Sequence, residues 1–108
     1  MQTVVITGAA SGIGRACALE WARRGARLGL VDRDRERLAA AAEGARALGA
    51  TVSEWAVDLA QAEAIAQLAR ELEGLGAIDV LVNNAGVAVV KPFVATADED
   101  WQIGRAHV

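Results

Sequence analysis

The sequence is short of the residues on which several classes of protein depend. It has one cysteine, Cys17, so no disulfide can close within the chain, and the low thiol content fits a reducing compartment. It has no basic tract. Eleven Lys and Arg stand against 14 Asp and Glu, for a net charge of −3, which counts against nucleic acid and anionic membrane as partners. No apolar run approaches the roughly 18 residues of a membrane span. The first strand-like run begins at Thr3, so no leader segment is expected, and the chain is read as soluble and cytoplasmic. No group of His, Cys, Asp and Glu has metal-ligand spacing. Repeats, linkers and low-complexity segments are missing too; Ala39–Ala42 is simply a run of good helix formers. With 108 residues, this is at most one small domain or part of a larger one. Its 54% apolar content suits a packed core, not disorder.

What is present is a regular alternation of strand and helix signals. Thr3–Thr7 is a β-branched run, hence a first strand. From Gly12 to Arg24, the apolar residues Ile13, Ala16, Cys17 and Trp21 recur at helical spacing, with Gly25 where a C-terminal cap belongs. Arg27–Val31 is the second strand. Asp34 can cap a helix reaching Leu48, with Leu38, Ala41, Ala42, Ala45 and Leu48 on one face and Gly49 after it. Thr51–Val57 is the third strand. Ile65, Leu68, Ala69 and Leu72 mark a third helix, ended by the Gly74–Gly76 stretch. Ile78–Val82 is almost uninterrupted apolar sequence, as in a central parallel strand covered on both faces. The expected fold is α/β: the N-terminal part of a doubly wound parallel sheet of Rossmann type, four strands in the order 3-2-1-4. In such a sheet the apolar fourth strand would be left as a bare edge.

The chemistry is carried at the strand ends. Thr7 runs into Gly8-Ala9-Ala10-Ser11-Gly12-Ile13-Gly14, a glycine loop at a strand-to-helix junction. Gly8 would make the tight turn. Gly12 and Gly14 would let the backbone approach a pyrophosphate, whose charge meets the N–H groups and dipole of the helix that starts there. Ser11 and Thr7 can add hydroxyl hydrogen bonds. The spacing is G-x-x-x-G-x-G, not the commoner G-x-G-x-x-G. Asp32 ends the second strand about 20 residues on, where a carboxylate can bind both adenosine ribose hydroxyls and repel a 2′-phosphate. This favours NAD over NADP, although Arg33 beside it could take a 2′-phosphate. Asp58-Leu59 and Asn83-Asn84-Ala85-Gly86 follow the third and fourth strands, at the carboxyl edge where open α/β sheets bind ligands. Paired Asn side chains can tie neighbouring loops together, while Ala85 and Gly86 leave room for a nucleoside. Each of these also reads as an ordinary turn: a glycine turn, a solvated strand-end Asp, an Asx turn. Cys17 reads as a small packed residue, and Trp21 and Trp55 as packing. Lys91-Pro92-Phe93 is given no role.

In this order and spacing, T-G-A-A-S-G-I-G, Asp32, Asp58-Leu59 and N-N-A-G resemble the N-terminal part of a short-chain dehydrogenase/reductase. The resemblance runs from Thr3 to about Trp101. Its glycine spacing is that of the compact oxidoreductase branch, not the G-x-x-G-x-x-G of sugar-nucleotide epimerases. It implies that Gly8, Ser11, Gly12, Ile13 and Gly14 hold the pyrophosphate and nicotinamide side of the cofactor. Asp32 would then hold the adenosine ribose, Asp58 and Leu59 the adenine, and Asn84, Ala85 and Gly86 adenosine and central-sheet contacts. Ser11 precedes Gly12 where NADP-preferring members often carry a basic residue, which again leans to NAD.

The family's catalytic Ser, Tyr and Lys would lie beyond Val108, and its catalytic Asn, due near Val108, is not there; Asn83 and Asn84 belong to a different motif. The resemblance therefore implies a fragment of an NAD(P)-dependent oxidoreductase that moves hydride between nicotinamide and an alcohol or carbonyl substrate. The complete protein would be a homo-oligomer, and this stretch alone would be inactive. The alternative is a non-catalytic nucleotide-binding module, and coding sequence downstream would discriminate the two. Residues 1–101 are expected to be the domain portion. Gln102-Ile103-Gly104-Arg105-Ala106-His107-Val108 departs from the apolar helix expected there. Ile103–Val108 is what ATC GGA AGA GCA CAC GTC, a string of a common sequencing adapter, would encode. The tail is thus read as translated adapter, not native chain, and His107 carries no functional weight.

Overall fold

The computed structural model describes residues 1–84. Ala85 and Gly86, Lys91-Pro92-Phe93 and the tail from Gln102 lie outside the described residues.

Strands and helices alternate as the patterning predicts. The strands are β1 (Thr3–Thr7), β2 (Arg27–Asp32), β3 (Val52–Ala56) and β4 (Val80–Asn83). The helices are α1 (Gly12–Arg23), α2 (Arg35–Ala47) and α3 (Ala62–Leu72), the last running into a 3-10 turn at Glu73–Leu75. The strands form one parallel sheet in the order β3-β2-β1-β4. Thr7 pairs with Val31 on one side of β1 and with Asn83 on the other, so three strand ends finish level at the carboxyl edge. Among the described residues no strand pairs with the outer side of β4.

Side-chain alternation along the strands explains the layering. Val4 and Ile6 of β1 join Leu28 and Leu30 of β2 in a core with Ala18, Ala22, Leu38, Ala42 and Ala45 of α1 and α2. Val5, Val31 and Leu81 point the other way, into a second core with Ile65, Leu68 and Leu72 of α3. Helices therefore cover both faces, which is why β1 is buried at every residue. Cys17 and Trp21 are half-buried against the first core, and Trp55 against the second. Helix α2 starts as expected: the Asp34 side chain accepts from the Arg37 N–H. Leu48 falls outside the expected face, lying after the helix with 43% of its surface exposed.

Helix α1 departs further from its pattern. The expected apolar face was Ile13, Ala16, Cys17 and Trp21, but Ile13 is 71% exposed and Ala16 is exposed too. The buried line is Gly14, Ala18 and Ala22. Large residues marked the wrong face because this helix lies so close to β1 that only small ones fit beneath it. A Cβ on Gly14 would stand 2.1 Å from the carbonyl oxygen of Gly8. Gly8 itself has φ +65°, the left-handed turn that lifts the chain off the sheet.

Among the described residues Gly12 has no neighbour within 4 Å of where its Cβ would stand, and its φ is not positive. The two glycines should therefore separate in urea unfolding. Gly14→Ala is expected to lose about 3 kcal/mol through overpacking against backbone that cannot give way, and Gly12→Ala less than about 0.5 kcal/mol. Equal losses would contradict this account of the α1–β1 contact.

Candidate functional site at the carboxyl edge of the sheet

Where the chain leaves β1, each backbone donor of the loop can be traced. The Ala9 N–H continues the sheet ladder to the Val31 carbonyl at 3.1 Å. The Ala10 N–H goes to Oδ2 of Asp32 at 3.0 Å. The Ser11 N–H turns back to the Gly8 carbonyl at 3.2 Å. The first bond of helix α1 runs from the Arg15 N–H to the Ser11 carbonyl. That leaves the N–H groups of Gly12, Ile13 and Gly14 with no partner among the described residues.

A serine at the N-cap would ordinarily satisfy one of these donors. Ser11 does not. Its hydroxyl donates to the Gly8 carbonyl at 2.8 Å and accepts from Nδ2 of Asn84 at 2.9 Å. No acidic side chain occupies the first turn of α1. Three N–H groups at the positive end of a helix, with open space over Gly12, make a site complementary to a phosphate group.

A hydrogen-bond chain joins this loop to the end of β4. The Thr7 hydroxyl donates to Oδ1 of Asn83 at 2.9 Å and accepts from the Asn84 N–H at 3.1 Å. The Asn84 amide nitrogen also approaches the Gly8 carbonyl, at 3.4 Å. The expectation that the paired Asn tie neighbouring loops together thus has its geometry. Thr7 is 1% exposed, and its hydroxyl is a strut between β1 and β4.

On the other side of the loop, half-buried Asp32 ends β2, and both its carboxylate oxygens accept backbone N–H bonds. Asp58 is exposed beyond β3, with Oδ1 accepting from the Ala60 N–H at 3.0 Å. The Val57 N–H donates to the Asp32 carbonyl, which places the two acids at adjacent strand ends. Leu59 is nearly buried in the second core, so its side chain belongs to packing, not to the open edge. Gly8, Ser11, Gly12, Ile13, Gly14, Asp32, Asp58 and Asn84 therefore share one edge. The Ala10 and Asp34 N–H bonds to Asp32 were not foreseen. Their one sequence signal is the Asp-x-Asp of an Asx turn, which shows only the second. Among the described residues there is no cluster of metal-ligating side chains, and no helix is long and apolar enough to cross a membrane.

The family model for short chain dehydrogenases matches residues 2–103. This chain belongs to the short-chain dehydrogenase family. It is 36% identical over 113 residues, 98% of the chain, to an uncharacterized oxidoreductase of Mycobacterium tuberculosis. It superposes on a metagenomic short-chain oxidoreductase solved in complex with NADP, with a TM-score of 0.77 and 33% identity, covering 98% of this chain and 54% of that one. A family member from Burkholderia phymatum, solved with NAD, gives a TM-score of 0.72 and 41% identity over 80% of this chain and 31% of the other. The chain spans 33% to 43% of the length of the first curated relatives that it matches. The short-chain dehydrogenase fold and its strand order 3-2-1-4 are therefore those expected from the sequence.

The Thr7 strut has a direct test. Thr7→Val would leave the Asn84 N–H and Asn83 Oδ1 without their partner. It is expected to cost about 2 kcal/mol in urea unfolding, against less than about 1 kcal/mol for Thr7→Ser, which keeps the hydroxyl.

Proposed function

We propose that this chain is the cofactor-binding portion of a short-chain dehydrogenase that moves hydride between a nicotinamide dinucleotide and a small alcohol or carbonyl substrate. The observation that carries the reading is the set of N–H groups on Gly12, Ile13 and Gly14 that have no partner among the described residues, with open space where a Cβ on Gly12 would stand. A cofactor pyrophosphate supplies the acceptors that those donors lack. The bound nicotinamide would accept or release the hydride; everything this stretch of chain does is binding and orientation.

Each residue has a task in that reading. Gly12 keeps the approach open, because any side chain there would project into the space above the donors. Gly8 and Gly14 fix the turn that aims them. Exposed Ile13 offers an apolar surface beside the loop for the nicotinamide side. Asp32 accepts from the ribose hydroxyls through the lone pairs its two backbone bonds leave free. Asp58 lies at the adjacent strand end, where adenine would rest, and Asn84 sets the floor between loop and β4. Ala85 and Gly86 are assigned to the adenosine side by their place in the motif alone.

NAD is the preferred cofactor. The Asp32 carboxylate is held on both oxygens and cannot easily swing aside, so a 2′-phosphate would meet a fixed like charge. Exposed Arg33 next to it offers partial compensation for a 2′-phosphate, not removal of that charge.

Calorimetric titration tests the reading. NAD is expected to bind at least about tenfold more tightly than NADP, by charge repulsion at Asp32. Gly12→Val is expected to abolish binding of both while leaving the unfolding midpoint nearly unchanged, because no described residue touches that space. If Gly12→Val binds NAD like the unmodified protein, the pyrophosphate does not lie over this loop. NADP binding more tightly than NAD would remove the cofactor preference alone.

A further inference from the structure

Asp32 has a second set of contacts that ribose binding does not require. Its Oδ2 accepts from the Ala10 N–H at 3.0 Å, 22 residues earlier in the chain, and its Oδ1 accepts from the Asp34 N–H at 2.9 Å. The first bond reaches into the glycine loop, one residue before Ser11. Ala10 is 6% exposed, so its N–H has little water to turn to if the carboxylate is removed. The chain has already left the sheet at Gly8, and the backbone ladder ends with Ala9 bonding to Val31. Asp32 therefore carries the attachment of the loop to β2 one residue further than the sheet can. The Asp34 bond holds the carboxylate at the angle that makes this reach.

We propose that Asp32 is a positioning residue for the phosphate loop: its carboxylate braces Ala10 and so holds in place the start of α1, where the N–H groups of Gly12, Ile13 and Gly14 have no partner among the described residues. The inference rests on the pyrophosphate reading of that loop. It has a consequence for specificity. Replacing Asp32 removes the repulsion toward a 2′-phosphate and at the same time loosens the grip on the pyrophosphate that NAD and NADP share. A change of cofactor preference made at this position alone would weaken both.

Inorganic pyrophosphate separates the two tasks, because it has no ribose. If Asp32 acted only as a charge near the site, Asp32→Ala would bind pyrophosphate more tightly, since a nearby negative charge is gone. The brace predicts the opposite sign. In the complete protein, Asp32→Ala is expected to bind pyrophosphate about tenfold more weakly, for the loss of charge-assisted hydrogen bonds that order the loop. In the same variant the Ala10 and Asp34 amides should exchange at least about tenfold faster with deuterium, while the Val5 amide in the centre of the sheet is unchanged. Pyrophosphate binding as tight as in the unmodified protein, or tighter, overturns the proposal, as does an Ala10 amide that stays protected. Should the unmodified protein bind neither pyrophosphate nor NAD, the cofactor reading fails instead, and the exchange rates alone decide whether Asp32 braces the loop.

Discussion

The carbonyl of Gly8 is the point on which the rest of the edge depends. It accepts from the N–H and the hydroxyl of Ser11, receives the Asn84 side chain, and lies against Gly14 with no room for a methyl group between them. One backbone atom thereby fixes the turn after β1, the start of α1 and the loop after β4. The contact is possible because Gly8 takes a left-handed conformation and Gly14 has no side chain. Helix α1 must then continue along a line of small residues, Gly14, Ala18 and Ala22, so the whole helix lies low over the sheet.

That close packing has a chemical result. A helix start normally satisfies its first N–H groups with a capping side chain. Here the capping position is occupied by Ser11, whose hydroxyl is drawn to the Gly8 carbonyl instead. The donors of the first turn have no partner among the described residues, and the helix dipole adds positive charge at the same place. Glycine is needed at positions 8 and 14 for reasons internal to the chain, and at position 12 for none that the described residues supply. A residue whose smallness serves no internal contact is best explained by what approaches it from outside.

Much of this was legible in the sequence, for identifiable reasons. The strand order follows from the alternation of elements and the handedness of crossovers, and the β-branched run Thr3–Thr7 marked the strand whose alternate residues, Val4 and Ile6 against Val5, enter the two cores. Asp34 as a cap and the Ile65, Leu68 and Leu72 face of α3 were readable because local chemistry decides them. The face of α1 was not, since hydrophobic spacing weighs large residues and this interface selects small ones. The side-chain contacts of Thr7 and Leu59 were not legible, for a related reason. Proximity to a motif says nothing about which way a side chain turns, and Thr7 turns to Asn83 while Leu59 turns into the core. The Asp32–Ala10 bond joins residues 22 apart through a loop whose path only the folded chain defines.

The central claim is that three backbone N–H groups at the start of α1 receive the cofactor's pyrophosphate. The most direct test is an amide-resolved NMR titration of the protein with NAD. The account predicts that the Gly12, Ile13 and Gly14 amide protons move downfield together as NAD is added, while the Ala9 amide, already bonded to Val31, stays near its starting position. Saturable NAD binding that leaves those three amides unmoved would contradict it.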